Sequence, residues 1–225
     1  MVHGPDVVPV RCPGAVPGGG ERACHDDEVV DEALERSKAG DALAPILPVA
    51  FMVVVMWAEE LADVGLHAHL DRFGIRPREL DGLDGILFAP FLHGGLGHLM
   101  ANTLPFALMG SAIALGGARR FVQVTVIVAL FGGVGTWLTG PPHSVHIGAS
   151  GLVFGYLTYL VSRGLFARRL SYLLGGVVTL LVYGSVLWGL LPQPGVSWHG
   201  HVFGAAGGAL AAFVLHTERT EDNRA

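Results

Sequence analysis

Four short segments of this chain place polar side chains that could do chemistry inside otherwise apolar sequence. Ser150 lies in a Gly-Ala-Ser-Gly motif, His201 follows later in the chain, and His98 and Asn102 are four residues apart. A serine hydroxyl attacks an amide only when a base accepts its proton, and a Ser–His pair within about 3 Å is the smallest arrangement that achieves this. The residue types therefore indicate nucleophilic catalysis, with Ser150 as the nucleophile and His201 as the base.

Such a reaction also needs hydrogen-bond donors for the oxyanion that forms. Ser150 is expected to open a helix, so its own backbone N–H is unpaired and lies at the positive end of the helix dipole. His98 and Asn102 share one face of a helix and could both donate into the same cavity. The alternative for Asn102 is a hydrogen bond between helices. We expect His93, just before this helix, to bond its loop and hold the shape of that loop.

Two pairs of glycines predict how the catalytic candidates come together. Gly151 and Gly155 follow Ser150, and Gly204 and Gly208 follow His201, with a spacing of four residues in each pair. Small residues at this spacing let two helix backbones approach closely in lipid. The alternative is that these glycines only pack a helix bundle.

Composition assigns the chain to a class. Of 225 residues, 51% are hydrophobic, 33 are glycine and only 15% are charged, which is typical of an integral membrane protein. The net charge of −5 and the lack of a basic run argue against nucleic acid as a partner. The two cysteines, Cys12 and Cys24, fit neither a zinc site nor a redox pair and are expected to be incidental thiols.

The apolar segments predict an all-α membrane protein with six spans, at about 20 residues for a full crossing. The fourth span is too short to cross alone, so we expect a short central helix that carries Ser150 and is shielded from lipid. We expect residues 1–41 to form a flexible cytoplasmic tail, residues 42–216 the membrane domain and residues 217–225 a short tail. The expected spans are 43–66, 98–115, 122–138, 150–161, 170–191 and 201–215.

The distribution of arginine predicts the orientation. Arg119 and Arg120 lie between spans two and three, and further arginines lie between spans four and five, whereas residues 139–148 and 192–200 carry none. Arginine-bearing loops stay in the cytoplasm, so the N-terminus is expected there, with the protein in the plasma membrane. The starts of spans two, four and six then lie on one side, which brings His98, Ser150 and His201 together.

These motifs resemble those of the rhomboid family of intramembrane serine proteases. The matching patterns are His93-x-x-x-x-His98-x-x-x-Asn102, Gly148-x-Ser150-Gly151 and His201-x-x-Gly204-x-x-x-Gly208, and the resemblance extends over about residues 43–216. It implies a six-helix bundle with a Ser150–His201 dyad. It also implies an oxyanion hole formed by His98, Asn102 and the Ser150 N–H. The implied substrates are single-span or multi-span membrane proteins that enter from the lipid bilayer.

The chain departs from the family pattern at two places. Phe154 stands where family members often carry a tyrosine stacked on the dyad histidine, so stacking can persist without the hydroxyl, and we expect activity to be retained. A Trp-Arg pair found in the first long loop of many members is absent from residues 67–97. The packing of that loop and the substrate preference therefore do not follow from the resemblance.

Two other functions remain open. The first is a catalytically silent relative that binds membrane-protein clients, although such relatives usually lack the serine or the histidine. The second is a histidine-lined metal transporter, suggested by His143, His146 and His199 together with His93 and His98. No carboxylate or cysteine joins these histidines in a recognised ligand spacing, so we predict no metal. The dyad mechanism requires no cofactor.

Overall fold

The computed structural model describes residues 43–167, 174, 177, 178, 181, 184–193 and 195–222. The chain divides into two compact units, Met1–Ala44 and Pro45–Ala225, and the second holds every α-helix described here. In the described ranges these helices are α1 (Leu47–Leu66), α2 (Gly85–Phe88), α3 (Leu96–Ala114), α4 (Ala118–Thr139), α5 (Ser150–Ala167) and α6 (Trp198–Asp222). Short 3-10 segments occur at Ala44–Ile46, Leu70–Phe73, Leu80–Gly82 and Gly184–Leu190.

Three helical stretches in the described part of the chain are long and apolar enough to cross a membrane. They are Ala44–Leu66, Ala118–Thr139 and Trp198–His216, and they correspond to the first, third and sixth expected spans. The second and fourth expected spans correspond to α3 and α5, which carry the polar candidate residues and are not among the three. Most of the fifth, residues 170–191, lies outside the described residues. The count of six spans therefore stays a prediction.

The expected short fourth helix is wrong in its length. Helix α5 has 18 residues and ends at Ala167, whereas the sequence pattern suggested about a dozen residues ending near position 161. At 1.5 Å per residue the helix is about 27 Å long. It continues past the apolar run because a long basic side chain such as Arg163 can extend toward an interface without interrupting the backbone hydrogen bonds.

Helix α5 packs against α3, α4 and α6. Its tyrosine Tyr156 is fully buried and contacts Phe106 of α3 and Phe121 of α4, with ring centroids 5.4 and 5.8 Å away. The Tyr156 hydroxyl also forms a 2.8 Å hydrogen bond with Thr125, which satisfies its polar end inside the bundle. The buried hydrophobic side chains of α5 are Leu152, Val153, Phe154, Tyr156, Leu157 and Tyr159.

Helices α5 and α6 are in backbone contact along their glycines. A methyl group added at Gly204 would collide with the carbonyl of Gly151, and one added at Gly208 would collide with the carbonyl of Gly155. Thr158 adds a hydrogen bond across the contact, because its hydroxyl donates to the Ala205 carbonyl at 2.6 Å. This close approach aligns the first turns of the two helices.

The loop between α1 and α2 is joined to the segment that precedes α5. Ile75 and His146 form an isolated antiparallel bridge, with N–H to carbonyl distances of 3.0 and 2.9 Å in the two directions. Gly85 of α2 packs directly on the backbone of Gly74 in the same loop. The residues just before Ser150 therefore have a fixed backbone position.

Candidate active site

Ser150 and His201 meet where α5 and α6 begin. Ser150 is the first residue of α5, and His201 lies in the first turn of α6. The hydroxyl oxygen of Ser150 is 2.8 Å from Nε2 of His201, which is hydrogen-bonding distance. The His201 side chain is buried, with 7% of its surface exposed.

The backbone carbonyl of Gly189 determines which nitrogen of His201 carries hydrogen. Nδ1 of His201 lies 2.7 Å from this oxygen. A carbonyl can only accept, so Nδ1 carries the hydrogen and donates it. In a neutral imidazole the other nitrogen, Nε2, then has a free lone pair and accepts the hydrogen of Ser150. The carbonyl thus orients the ring as a carboxylate does in a catalytic triad.

Phe154 fixes the plane of the same ring. Its phenyl group stacks on the imidazole of His201 with ring centroids 4.4 Å apart and planes inclined by 18°. Phe154 follows Ser150 by one helical turn, so a single helix carries the hydroxyl and this aromatic surface. The stacking expected for phenylalanine at this position is present.

His98 lies near Ser150, next to Gly148, and lines the same cavity as Ser150. Nδ1 of His98 accepts the backbone N–H of Gly94 at 3.3 Å, so the hydrogen of the neutral ring resides on Nε2. A Cβ built on Gly148 would lie 2.8 Å from that Nε2 and 3.7 Å from the hydroxyl of Ser150. Gly148 also has φ +107°, a conformation that only glycine adopts readily. The residue is therefore required here for both its conformation and its size.

Asn102 lies one turn after His98 on α3 and is nearly buried, with 6% of its surface exposed. Its amide nitrogen donates to the carbonyl of His98 at 3.0 Å, within its own helix. The sequence also allowed a hydrogen bond from Asn102 to another helix, but the amide nitrogen bonds within α3 instead. An amide nitrogen carries two hydrogens, so one remains for a group in the adjoining cavity.

His93 lies behind the site and joins two of its segments. Its Nδ1 donates to the Phe91 carbonyl at 3.0 Å, and its Nε2 accepts the Ala149 N–H at 3.4 Å. Burial lowers the pKa of His93 to about 4, so the ring stays neutral, as these two bonds require. His93 thus holds the loop before α3 against the residue that precedes Ser150.

A cavity of about 830 Å³ opens at this point and is lined by five of the predicted site residues: His98, Asn102, Ser150, Phe154 and His201. The rest of its lining includes parts of segments 141–147 and 193–199. Gly151, Gly204 and Gly208 do not line it but form the contact between α5 and α6. The sequence did not predict the role of the Gly189 carbonyl, because every residue has a backbone carbonyl and the residue type does not indicate which one takes part.

Comparisons with known proteins identify the family of the chain. A family model described as Rhomboid domain matches residues 82–218. An uncharacterized protein of Mycobacterium tuberculosis is 45% identical over 172 residues, which cover 72% of each chain. RHOMBOID-like protein 4 of Arabidopsis thaliana is 32% identical over 58% of this chain and 33% of its own. Rhomboid protease GluP of Bacillus subtilis is 29% identical over 55% of this chain and 24% of its own.

The matched domain takes up more than half of the chain and includes every residue of the candidate site. The apolar helices agree with a family whose members lie in the membrane. This chain therefore belongs to the rhomboid family.

Proposed function

We propose that the protein is an intramembrane serine endopeptidase that cleaves membrane-spanning segments of other proteins with a Ser150–His201 dyad. The observation that carries the proposal is the 2.8 Å contact between the Ser150 hydroxyl and the unprotonated Nε2 of His201. The Gly189 carbonyl holds the ring in that protonation state. The name of one relative, Rhomboid protease GluP, supports the same class of reaction.

The first step is attack on the peptide bond. The Ser150 oxygen adds to the carbonyl carbon of the substrate while its proton moves to Nε2 of His201. His201 then carries a positive charge, which the Gly189 carbonyl stabilises through the hydrogen on Nδ1. The phenyl ring of Phe154 supports the charged ring from one face, because an aromatic face attracts a cation.

The negative charge of the tetrahedral intermediate forms on the former carbonyl oxygen. We assign three donors to this oxygen, all from residues that line the cavity: Nε2–H of His98, the remaining amide hydrogen of Asn102 and the backbone N–H of Ser150 at the start of α5. Donors held in place before the reaction stabilise the transition state without reorganising. Loss of one such donor typically costs 10²–10³ in kcat.

The intermediate then collapses and the peptide is released in two parts. The C–N bond breaks as His201 gives its proton to the leaving amine, and the acyl group remains on Ser150. A water molecule attacks this ester while His201 accepts one of its protons. The C–O bond to Ser150 then breaks as His201 returns the proton to the serine oxygen, which releases the new carboxyl end of the substrate. The 830 Å³ cavity beside the dyad offers room for that water.

The substrates follow from where the site lies. The dyad lies at the starts of α5 and α6, and α6 is long and apolar enough to cross a membrane, so a peptide bond reaches it most directly from a segment that is itself in the bilayer. Single-span or multi-span membrane proteins are therefore the substrate class. We place the mouth of the cavity and the starts of α3, α5 and α6 on the non-cytoplasmic side, from the arginine distribution.

The test is cleavage of a single-span reporter protein by the purified enzyme in detergent and in liposomes. The wild type is expected to cut within the span, and the Ser150→Ala and His201→Ala variants are expected to lose cleavage. All three proteins should show the same thermal unfolding. A folded wild type that binds but cuts no member of a reporter panel would instead favour the client-binding function.

A further inference from the structure

A second hydrogen-bonded group, centred on His146, lies beside the dyad and has no part in the chemistry above. His146 is buried, with 8% of its surface exposed, and its backbone is held by the bridge to Ile75. Its ring contacts two hydroxyl groups, those of Ser144 at 2.9 Å and Ser197 at 2.6 Å. His146 and Ser197 also line the cavity that holds the dyad.

The direction of these hydrogen bonds follows from counting hydrogens. The Ser144 hydroxyl donates its one hydrogen to the Pro141 carbonyl at 2.6 Å. Nε2 of His146 must therefore donate to Ser144, and in the neutral ring Nδ1 is left as an acceptor. The Ser197 hydroxyl consequently donates to Nδ1 of His146.

This last bond connects the two segments that carry the dyad. His146 precedes Ser150 by four residues, and Ser197 precedes His201 by four residues. The Ser197 carbonyl accepts the backbone N–H of His201 at 3.2 Å, so Ser197 belongs to the start of the helix that carries the base. A shift of His146 relative to Ser197 would change the separation of Ser150 and His201.

A metal site is the other reading of these histidines. His199 lies near His146, with ring centroids 6.1 Å apart. Within the ranges that the structure describes, however, no three His, Cys, Asp or Glu side chains are placed to hold one metal ion. Both ring nitrogens of His146 already face hydroxyl groups, which favours a role in positioning.

We propose that His146 is a positioning residue for the Ser150–His201 pair, acting through its hydrogen bond with Ser197. The inference rests on the proposed function, because the pair it positions is the proposed dyad. A misplacement of about 1 Å in such a pair can cost on the order of 100-fold in rate. The effect should appear in kcat and not in substrate binding.

The experiment compares four single variants and one double variant, His146→Phe with Ser197→Ala, by kcat and KM on the reporter and by the rate at which a fluorophosphonate labels Ser150. His146→Phe removes both ring contacts at similar size, and Ser197→Ala removes the donor. His146→Asn keeps an acceptor near the position of Nδ1. His143→Asn is the matched control, because His143 is exposed in the same loop and has φ +60°, which asparagine tolerates.

We expect His146→Phe and Ser197→Ala each to lower kcat and the labelling rate by about 10- to 100-fold, with KM within about threefold of the wild type. The double variant should be no worse than His146→Phe alone, since that variant already lacks the bond that Ser197→Ala removes. His146→Asn should recover most of the loss, and His143→Asn should match the wild type.

Additive losses in the double variant, or a His146→Asn variant as slow as His146→Phe, would overturn the positioning role. So would a rise in KM with kcat unchanged. A wild type that reacts with fluorophosphonate at Ser150 but cuts no reporter would contradict the proteolytic function and leave this inference standing, provided that the variants slow labelling as described. A wild type that neither cuts nor labels would overturn both.

Discussion

At the residue scale, the role of Asn102 as a hydrogen-bond donor can be tested with a substitution at this position. Asn102 has one amide hydrogen left after bonding its own helix, and it lines the cavity. We expect Asn102→Ala to lower kcat on a single-span reporter by about 10- to 1,000-fold with little change in KM, since the donor acts only once charge develops. Met100→Ala is the control, because Met100 is 57% exposed on the same helix. Equal losses in both variants would contradict the oxyanion role.

Gly148 gives a second prediction at this scale. A side chain there would meet the ring of His98 at about 2.7 Å and would also need φ +107°. We expect Gly148→Ala to reduce cleavage at least about tenfold and to cost on the order of 1–3 kcal/mol in stability. Gly97→Ala is the matched control, since nothing lies within 4 Å of an added Cβ at that position. The measurements are the cleavage rates and thermal unfolding of the two variants. A fully active Gly148→Ala variant would be evidence against the close approach of His98 to Gly148.

The buried His146 predicts a dependence of stability on pH. Burial, together with the nearby His199, lowers the pKa of His146 from its usual 6.5 to about 4. Between these two values the unfolded chain binds a proton that the folded site excludes, so stability falls as the pH is lowered through this range. The loss attributable to this group between pH 7 and pH 5 is about 2 kcal/mol. Between pH 7 and pH 5, the free energy of unfolding of His146→Phe should fall by about 2 kcal/mol less than that of the wild type. The same pH dependence in both proteins would contradict the lowered pKa of His146.

The residue types and spacing in the sequence sufficed to find Ser150, His201, His98 and Asn102 as candidates, because their side chains have recognisable chemistry. The carbonyl of Gly189 could not be found in this way, since every residue has one and only the fold determines which carbonyl reaches His201. The direction of the His146 bonds depends on three hydroxyl and carbonyl positions and likewise required the structure.

At the element scale, the contact between α5 and α6 determines whether the dyad can form. Gly208 lies against the carbonyl of Gly155, and any side chain there must push the two helices apart. We expect Gly208→Ala to cost about 1–3 kcal/mol in stability and to lower kcat, because the starts of both helices move with the contact. Gly65→Ala on α1 is the control, as an added Cβ there meets nothing. Unchanged thermal unfolding and turnover in Gly208→Ala would refute this packing argument.

The glycine spacing predicted which helices touch but not where each helix ends. The apolar run of the fourth span suggested an end near residue 161, whereas α5 continues to Ala167. Hydrophobicity measures the preference of side chains for lipid, while helix length also depends on backbone hydrogen bonds that polar residues can maintain. The other helix ends fell within a few residues of the expected spans, except that α6 continues to Asp222.

At the scale of the whole molecule, the arginine distribution predicts that the N-terminal segment faces the cytoplasm. The chain has two cysteines, Cys12 and Cys24, both in that segment. A membrane-impermeant maleimide should therefore label inverted membrane vesicles and leave intact cells unlabelled. A variant with Cys12→Ser, Cys24→Ser and His143→Cys should show the reverse, since residue 143 belongs to the loop placed on the other side. Labelling of the native cysteines from outside intact cells would contradict this orientation.

Composition and hydropathy identified an all-helical membrane protein, and the family match agrees with that class. The arrangement of the long loop before α3 could not be read from the sequence, because it lacks the Trp-Arg pair seen in many relatives. Its position depends on backbone contacts such as the bridge from Ile75 to His146 and the packing of Gly85 on Gly74. Contacts of this kind leave no periodic pattern in the residues that make them.

We expect His201 to make Ser150 a nucleophile, and a fluorophosphonate tests this role without any assumption about the substrate. The reagent forms a P–O bond with an activated serine oxygen and releases fluoride, so mass spectrometry of the labelled protein identifies the reacting residue. We predict one adduct per chain, on Ser150, that is absent from Ser150→Ala and strongly reduced in a folded His201→Ala variant. No adduct on the folded wild type, or equal labelling of His201→Ala, would contradict the dyad.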